Sequence, residues 1–411
     1  MPQEVKNKKS VRRTRASGGV ILARMIIVVL LIVSMLFIAI RLFGGLSFSG
    51  IADRVAAFFR EIGNDESYPY DVLSSSVKSI KLEDRQLFIL SDTAVTVLDS
   101  SSDELSVIQH LYASPAIKTG DGKAIVYDRN GTGFRIQSAY ETLHEDSADG
   151  NILTAAIGKK GNVAIASRTE GATSELTVYN RRYEKIFAWK CAYEHISDVA
   201  LSDNGKYAAV CVSGAKNGEI YSVLYIFNFD IAEPVAKFDY PSSTLIDVSF
   251  TGRKSLCILA DNVHSVITDF KTRTDDVTFL SSELNRYSVS ENGMNVLALS
   301  MFGSTASTRL VAHDKDGEQL FELTLPDYIS SVSCTGKYVC VLADGKVITY
   351  NNKGEEIGSA CVDADCSAIY ADDNYVYTSS LDELNRFFTL GDNKNKEAET
   401  TLPAQTVETE K

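Results

Sequence analysis

The feature that most constrains this chain is a repeat. Alternating apolar residues, a short polar turn and a second apolar run recur as AIKTGDGKAIVY (116–127), AAIGKKGNVAIA (155–166), VALSDNGKYAAV (199–210), VSFTGRKSLCIL (248–259), YSVSENGMNVLALS (287–300) and VSCTGKYVCVLA (332–343). Weaker copies flank them, SIKLEDRQLFIL (79–90) and SAIYADDNYVYT (367–378). Anchored on Arg85, Gly122, Gly161, Gly205, Gly252, Gly293, Gly336 and Asp373, the copies are spaced by 37, 39, 44, 47, 41, 43 and 37 residues. One copy cannot bury its own apolar faces, so a period near 40 in an all-strand pattern calls for sheets stacked around an axis, a β-propeller. The chain is therefore read as all-β, with eight blades, or seven if one weak terminal copy is not a blade.

The turn residues agree. Asp121-Gly122, Asn204-Gly205 and Asn292-Gly293 are dipeptides that accept positive φ in a two-residue hairpin. Placing Asn204-Gly205 at the turn pairs Leu201 with Ala208 and Val199 with Val210, which makes one hairpin face apolar. Small residues such as Ala116, Ala155, Ala156, Ala200, Ala208, Ala209 and Ala298 suit the crowding near a propeller axis. The third strand of most units ends in an Asx residue (Asp99, Asn180, Asn228, Asp269, Asp314, Asn351), whose side chain can bond the following backbone and start the turn to a fourth strand. The eighth unit turns polar after Leu390 and lacks a fourth strand of its own. Residues Tyr68 to Leu73 are expected to supply it and close the ring.

On these residues the chain resembles the WD40 and TolB-like propeller superfamily. LSDNGKYAAV echoes its Ser-Pro-Asp-Gly hairpin, and the apolar-Asx pairs stand where WD40 repeats carry Trp-Asp. The likeness spans Val77 to Leu390, but Trp189 is the single Trp, which sets the chain apart from the Trp-marked propeller subfamilies. A propeller behind an anchor also resembles an uncharacterised domain-of-unknown-function family of signal-anchored proteins from Gram-positive bacteria, which implies no activity to transfer.

The anchor is read from the N-terminal residues. Met25 to Ile40 is an uncharged run of 16 residues flanked by Arg24 and Arg41. At about 1.5 Å per residue it falls short of a roughly 30 Å hydrocarbon core, and the snorkelling arginine stems complete the span. Six Lys and Arg precede it within the first 15 residues, which predicts a cytoplasmic N-terminus and an extracytoplasmic remainder. The rival reading is a signal peptide cleaved near Ser47-Phe48-Ser49, against which Arg41, Leu42 and Phe43 occupy the region that should lead to the cut. Ile51, Val55, Phe58, Phe59 and Ile62 recur at helical spacing and predict a short amphipathic helix. The expected organisation is a basic cytoplasmic tail (1–19), a transmembrane signal-anchor helix (20–43), a juxtamembrane linker (44–67), the propeller (68–390) and a polar, disordered tail (391–411).

The formal charge of −13 hides a division: residues 1–43 carry +7 and residues 44–411 carry −20. So acidic an exterior is repelled by nucleic acid, which is excluded as a partner. Membrane lipid, met through the anchor, and a protein or cell-envelope component are the expected partners.

No chemistry declares itself in a linear motif. Cys211, Cys257 and Cys340 fall in second strands and read as core; Cys191 has no evident partner. A Thr335-Gly336 turn would pair Cys334 with Lys337 and Cys340 with Ser331, so these two thiols do not bridge, whereas Cys361 and Cys366 could. The five histidines are scattered, and Asp314-Lys315-Asp316-Gly317 lacks the later ligands of a calcium loop, so neither metal nor cofactor is expected. No nucleophile elbow, zinc motif or phosphate loop is present, and no catalytic residue is named.

The leading expectation is a single-pass membrane protein whose extracytoplasmic propeller binds or scaffolds at the cell envelope. Its rim and channel mouth would make the contacts, with the longest interruptions at Thr169 to Ser174 and Ser213 to Ile220. The alternatives are an envelope hydrolase or lyase, which requires titratable residues converging at the channel mouth, and a ligand-sensing subunit of a membrane complex.

Overall fold

The computed structural model describes residues 68–72, 77–276, 282–301, 307–381 and 383–388. They form eight four-stranded antiparallel sheets, each a meander in sequence order except the last. Blades 1 to 8 begin with the strands Val77–Glu83, Pro115–Gly120, Ile152–Ile157, His195–Leu201, Leu245–Phe250, Ser282–Val289, Ile329–Cys334 and Ala368–Ala371. Blade 8 borrows its fourth strand, Tyr70–Asp71, which pairs with Glu383–Phe388 in the register Tyr70 to Leu384 and Asp71 to Glu383. The seam is reinforced by Arg386, whose guanidinium lies 4.8 Å from the Tyr68 ring centre and 4.2 Å from that of Tyr375 while bonding the Ser100 carbonyl of blade 1. An open ring would leave two sheet edges unpaired; this clasp removes that liability. The anchor residues Arg24, Met25, Ile40 and Arg41, the amphipathic segment and the tail from Gly391 lie outside the described residues. Among the described residues no helix is long and apolar enough to cross a membrane.

Position within a blade dictates composition. The second strands are sandwiched between neighbouring blades and read as nearly continuous apolar runs, as in QLFILS and YVCVLA. Fourth strands have one face in solvent and alternate, as in Lys185–Cys191. Between blades 3 and 4 an aromatic cluster fills the gap, Phe227 meeting Trp189 at 4.8 Å and Phe187 at 5.5 Å between ring centres. Cys211, Cys257 and Cys340 are buried as their strand position requires, and all seven thiols are free, Cys361 and Cys366 included. Of the small residues, Ala156 and Ala200 do line the axial channel, but Ala208, Ala209 and Ala298 belong to second strands packed between blades.

The register of the fourth blade is the expected one, Leu201 opposite Ala208 and Val199 opposite Val210. Its turn is not. Only Gly205 has positive φ, at 69°, and its N–H donates to Ser202 O at 2.9 Å, while Ser202 Oγ and Asn204 Oδ1 accept N–H groups of Tyr207 and Lys206 at 3.0 Å. Side-chain acceptors thus stabilise a longer loop in place of the two-residue turn, which Asp121-Gly122 does adopt with both φ values positive. Replacing Gly205 by alanine should cost about 1 kcal/mol, read from a denaturant midpoint, because a Cβ is strained in the left-handed region. A second correction concerns Cys334 and Cys340, which pair with Val339 and Ser333. Thr335 Oγ1 accepts the N–H groups of Lys337 and Tyr338, each at 3.1 Å, so Gly336 and Lys337 form the turn centre. The conclusion that these thiols do not bridge is unchanged.

The Asx expectation is met in full at Asp99, Asn180, Asp314 and Asn351, whose Oδ1 atoms each accept two backbone N–H groups from residues two and four further on. Asn228 accepts one, from Asp230. Blade 5 differs: Asp269 and Phe270 both take positive φ in a tight turn. The segments Thr169 to Ser174 and Ser213 to Ile220 are not irregular loops. They extend regular hairpins, the longer built of the ten-residue strands Tyr207–Lys216 and Glu219–Asn228.

Candidate functional site: a charged channel

The first strands of successive blades run side by side around the axis, so one edge of each faces the channel with backbone groups in need of partners. Small polar side chains on the preceding blade supply them. Ser288 Oγ accepts Cys334 N–H at 3.1 Å, Ser331 Oγ accepts Ile369 N–H at 3.1 Å, and Ser333 Oγ accepts Ala371 N–H at 2.9 Å. In six blades a bulge near the start of this strand sets the phase. The residue just after the bulge and the one two further on are thereby aimed at the channel.

Charged side chains replace the small ones at these positions in blades 1, 4, 5 and 6, and in the first strand of blade 2, which has no bulge. They place Lys81, Lys118, Asp198, Asp247 and Arg286 there, where blade 7 has Ser331 and Ser333, and Arg286 Nε donates to the Ser330 carbonyl at 2.7 Å. Asp198 Oδ2 keeps the structural duty by accepting Val248 N–H at 3.3 Å, while Oδ1 meets Lys118 Nζ at 3.6 Å and the Thr154 hydroxyl at 3.5 Å. Its side chain is only 7% exposed. Burial pushes the Asp198 carboxyl up to about 6; Lys118 opposes the rise, and the adjacent Asp247, within hydrogen-bonding reach, adds to it. Asp198 is therefore held toward its protonated form relative to an ordinary aspartate. Desolvation pulls Lys118 down, but Asp198 and Asp247 outweigh it and hold the ammonium above its ordinary value. Lys81 is lowered by desolvation and by Lys118, against a partial offset from Asp247. It forms no hydrogen bond or ion pair within the described residues. Burial also raises the Tyr287 hydroxyl, with Asp247 and Asp198 adding to the effect.

Toward the mouth formed by the hairpins between first and second strands, the channel opens into a cavity of about 570 Å³. Its wall comes from blades 1 to 5, with Glu291 of blade 6. Burial pushes Glu83 up to about 7; Glu291 and Asp84 add to this, while the Gly122 N–H, donating to Oε1 at 3.2 Å, opposes it. Lys159 ties the rim across blades, 3.7 Å from Asp203 and 3.8 Å from Glu291. Gly120 is required in the wall, since a Cβ there would sit 2.7 Å from the Ile157 carbonyl oxygen. A cavity of this size is large enough for a small ligand, and Lys118, Lys159, Glu83 and Asp247 are among the charged groups in its wall.

A second pocket of about 230 Å³ lies between blades 5 and 6, beside His264 and His313, whose rings stack at 4.7 Å. Cys257 Sγ is 3.3 Å from His264 Nε2, but full burial drives the thiol far above its ordinary range, so it is no nucleophile. Among the described residues no group of three or more His, Cys, Asp or Glu could hold a metal ion.

None of the channel residues was singled out from sequence. The legible signal was a charge inside an apolar first strand, as in SIKLE, AIKTG, SDVAL and IDVSF; what the linear sequence lacked was, in all of these but AIKTG, the bulge that turns the side chain to the axis.

The arrangement of sheets is shared with solved propellers. Sqt1 of Saccharomyces cerevisiae superposes with a TM-score of 0.57 at 11% identity, covering 77% of this chain and 97% of that one. The C-terminal WD40 domain of Sif2 gives 0.56 at 11% identity, covering 79% and 99%. At such identities the likeness is one of fold. No curated protein matches the chain. A family model described as a family of unknown function, DUF5711, matches residues 63–385.

Proposed function

The chain belongs to the DUF5711 family, which carries no assigned activity, and from the channel itself we propose that this protein is a membrane-anchored, extracytoplasmic binding module that takes a small ligand or partner group at the channel mouth. The observation that carries the reading is the clustering of Lys81, Lys118, Asp198 and Asp247 at the axis, with Lys118 and Asp247 in the cavity wall. Asp198 is buried where blade 7 makes the same backbone bond with serine, so the charge in its place is best explained by what the channel binds. The anchor rests on the uncharged run from Met25 to Ile40 and the basic residues before it.

Two measurements test these halves. Cys361 is an exposed free thiol, so a membrane-impermeant maleimide should label it in intact cells and not in a Cys361→Ser variant; labelling only after lysis would place the propeller on the cytoplasmic side. For the site, envelope saccharides and short peptides screened by thermal shift should include compounds whose stabilising effect disappears in Asp247→Asn. Effects that all persist in that variant would remove the channel from the account.

A second reading, a hydrolase or lyase of the envelope, draws on one observation, the carboxyl groups of Asp198 and Asp247 side by side. It predicts turnover of a bound saccharide or peptide that both Asp198→Asn and Asp247→Asn abolish while binding survives. Binding without turnover in the unmodified protein would reject it.

A further inference from the structure

Antiparallel meanders give the ring two unlike faces. Hairpins joining first to second and third to fourth strands emerge on the side of the charged cavity; those joining second to third strands, and the links between blades, emerge on the other. Among the described residues, the connecting segments of the cavity face carry 17 Asp and Glu and 12 Lys and Arg, a mixed surface. Those of the opposite face carry nine acids, among them Asp149, Glu170, Glu194, Asp327, Asp363 and Asp365, against Arg129. The strand ends bordering them add the exposed Arg168, Lys190, Lys216 and Lys346, and Lys78, which pairs with Asp92 at 2.9 Å. The four most exposed large apolar residues also stand on that face: Leu111 at 100%, Tyr193 at 86%, Leu381 at 77% and Ile220 at 55%. Tyr193 and Tyr328 each sit next to an acid in sequence, Glu194 and Asp327. The local frame beneath Tyr193 is rigid, because Glu194 Oε1 accepts the Tyr221 hydroxyl at 2.9 Å and so ties the link between blades 3 and 4 to the long hairpin of blade 4.

We propose that this acidic, aromatic-studded face docks a basic protein segment carrying apolar anchor residues. Acidic connecting segments attract an oppositely charged partner and raise its encounter rate, and exposed tyrosines with acids beside them suit a Lys- or Arg-rich chain with intervening apolar side chains. A second copy of the same face would meet like charge, which disfavours self-association. This surface is distinct from the channel, and the proposal does not depend on the ligand reading above.

The test uses the full chain in detergent micelles and a fluorescein-labelled 15-residue peptide of Lys and Ser with two Leu, beside a twin in which every Lys is Glu. The basic peptide should bind, weakening about tenfold or more as salt is raised through the physiological range, and its twin should not. Tyr193→Ser, and separately Glu170→Lys with Asp327→Lys, should each weaken binding about tenfold, whereas Asp230→Lys with Glu233→Lys, the same charge change on the cavity face, should leave it unaltered. Equal binding of the twin, equal loss in the cavity-face control, or full affinity in both opposite-face variants would overturn the proposal. So would a dimer in sedimentation that Tyr193→Ser dissolves, since the face would then be covered by a second copy.

Discussion

Truncating Phe227 to alanine should destabilise the propeller by about 3–5 kcal/mol, measured as a lowered denaturant midpoint with an unchanged slope. Phe227 is fully buried on the third strand of blade 4 and packs against Phe187 and Trp189 of blade 3, so its loss leaves a cavity at an interface between sheets. Blades cannot relax into that space without breaking register with their neighbours around a closed ring. Tyr193→Ala, on the link between the same two blades but 86% exposed, should change stability by less than about 0.5 kcal/mol. A cost below about 1 kcal/mol for Phe227 would mean that inter-blade packing is not what holds the ring.

The second large effect is expected at Lys118. Asp198 titrates near 6 in the folded chain against an ordinary value of 3.8, so the folded state holds that proton more tightly than the unfolded state does. Its contribution favours folding at low pH and is lost as pH rises from about 4 through 6. Lys118 opposes the shift, and Lys118→Met should therefore move the Asp198 titration higher and extend the loss toward neutral pH. The variant should be less stable than the parent by about 2 kcal/mol near pH 8, a figure already reduced for the solvent that reaches Lys118, and close to the parent near pH 5. Stability curves by chemical denaturation across that range would check it, and a difference that is the same at both ends would show that the pair is not electrostatically coupled.

How far the sequence carried these conclusions differs by level. The blades were legible because each second strand is a nearly unbroken apolar run at a spacing of about 40 residues, and because a polar eighth unit without a fourth strand leaves closure to the N-terminal side. Asp99, Asn180, Asp314 and Asn351 were legible as turn residues, since an Asx side chain acts on its own next few residues. The channel was not. Whether Asp198 faces the axis or a neighbouring blade depends on a bulge at Ser197 that slips the strand by one residue, and a shift of one reverses every side chain. The meeting of Asp198 with Lys118 likewise spans blades, which no local window contains. The turn at Asn204-Gly205 departs from the two-residue form for a related reason: Ser202 and Asn204 supply acceptors that favour a wider loop than the dipeptide alone suggests.

Asp198, buried beside Lys118 and Asp247, holds its proton well above the ordinary aspartate range. Difference infrared spectroscopy of the protonated carboxyl stretch, comparing the protein with Asp198→Asn between about pH 5 and pH 8, reads that proton directly. A band present at the acidic end, absent in the variant and vanishing with a midpoint near 6 is the predicted result. A band already gone by about pH 5, or one that survives the substitution unchanged, would contradict it.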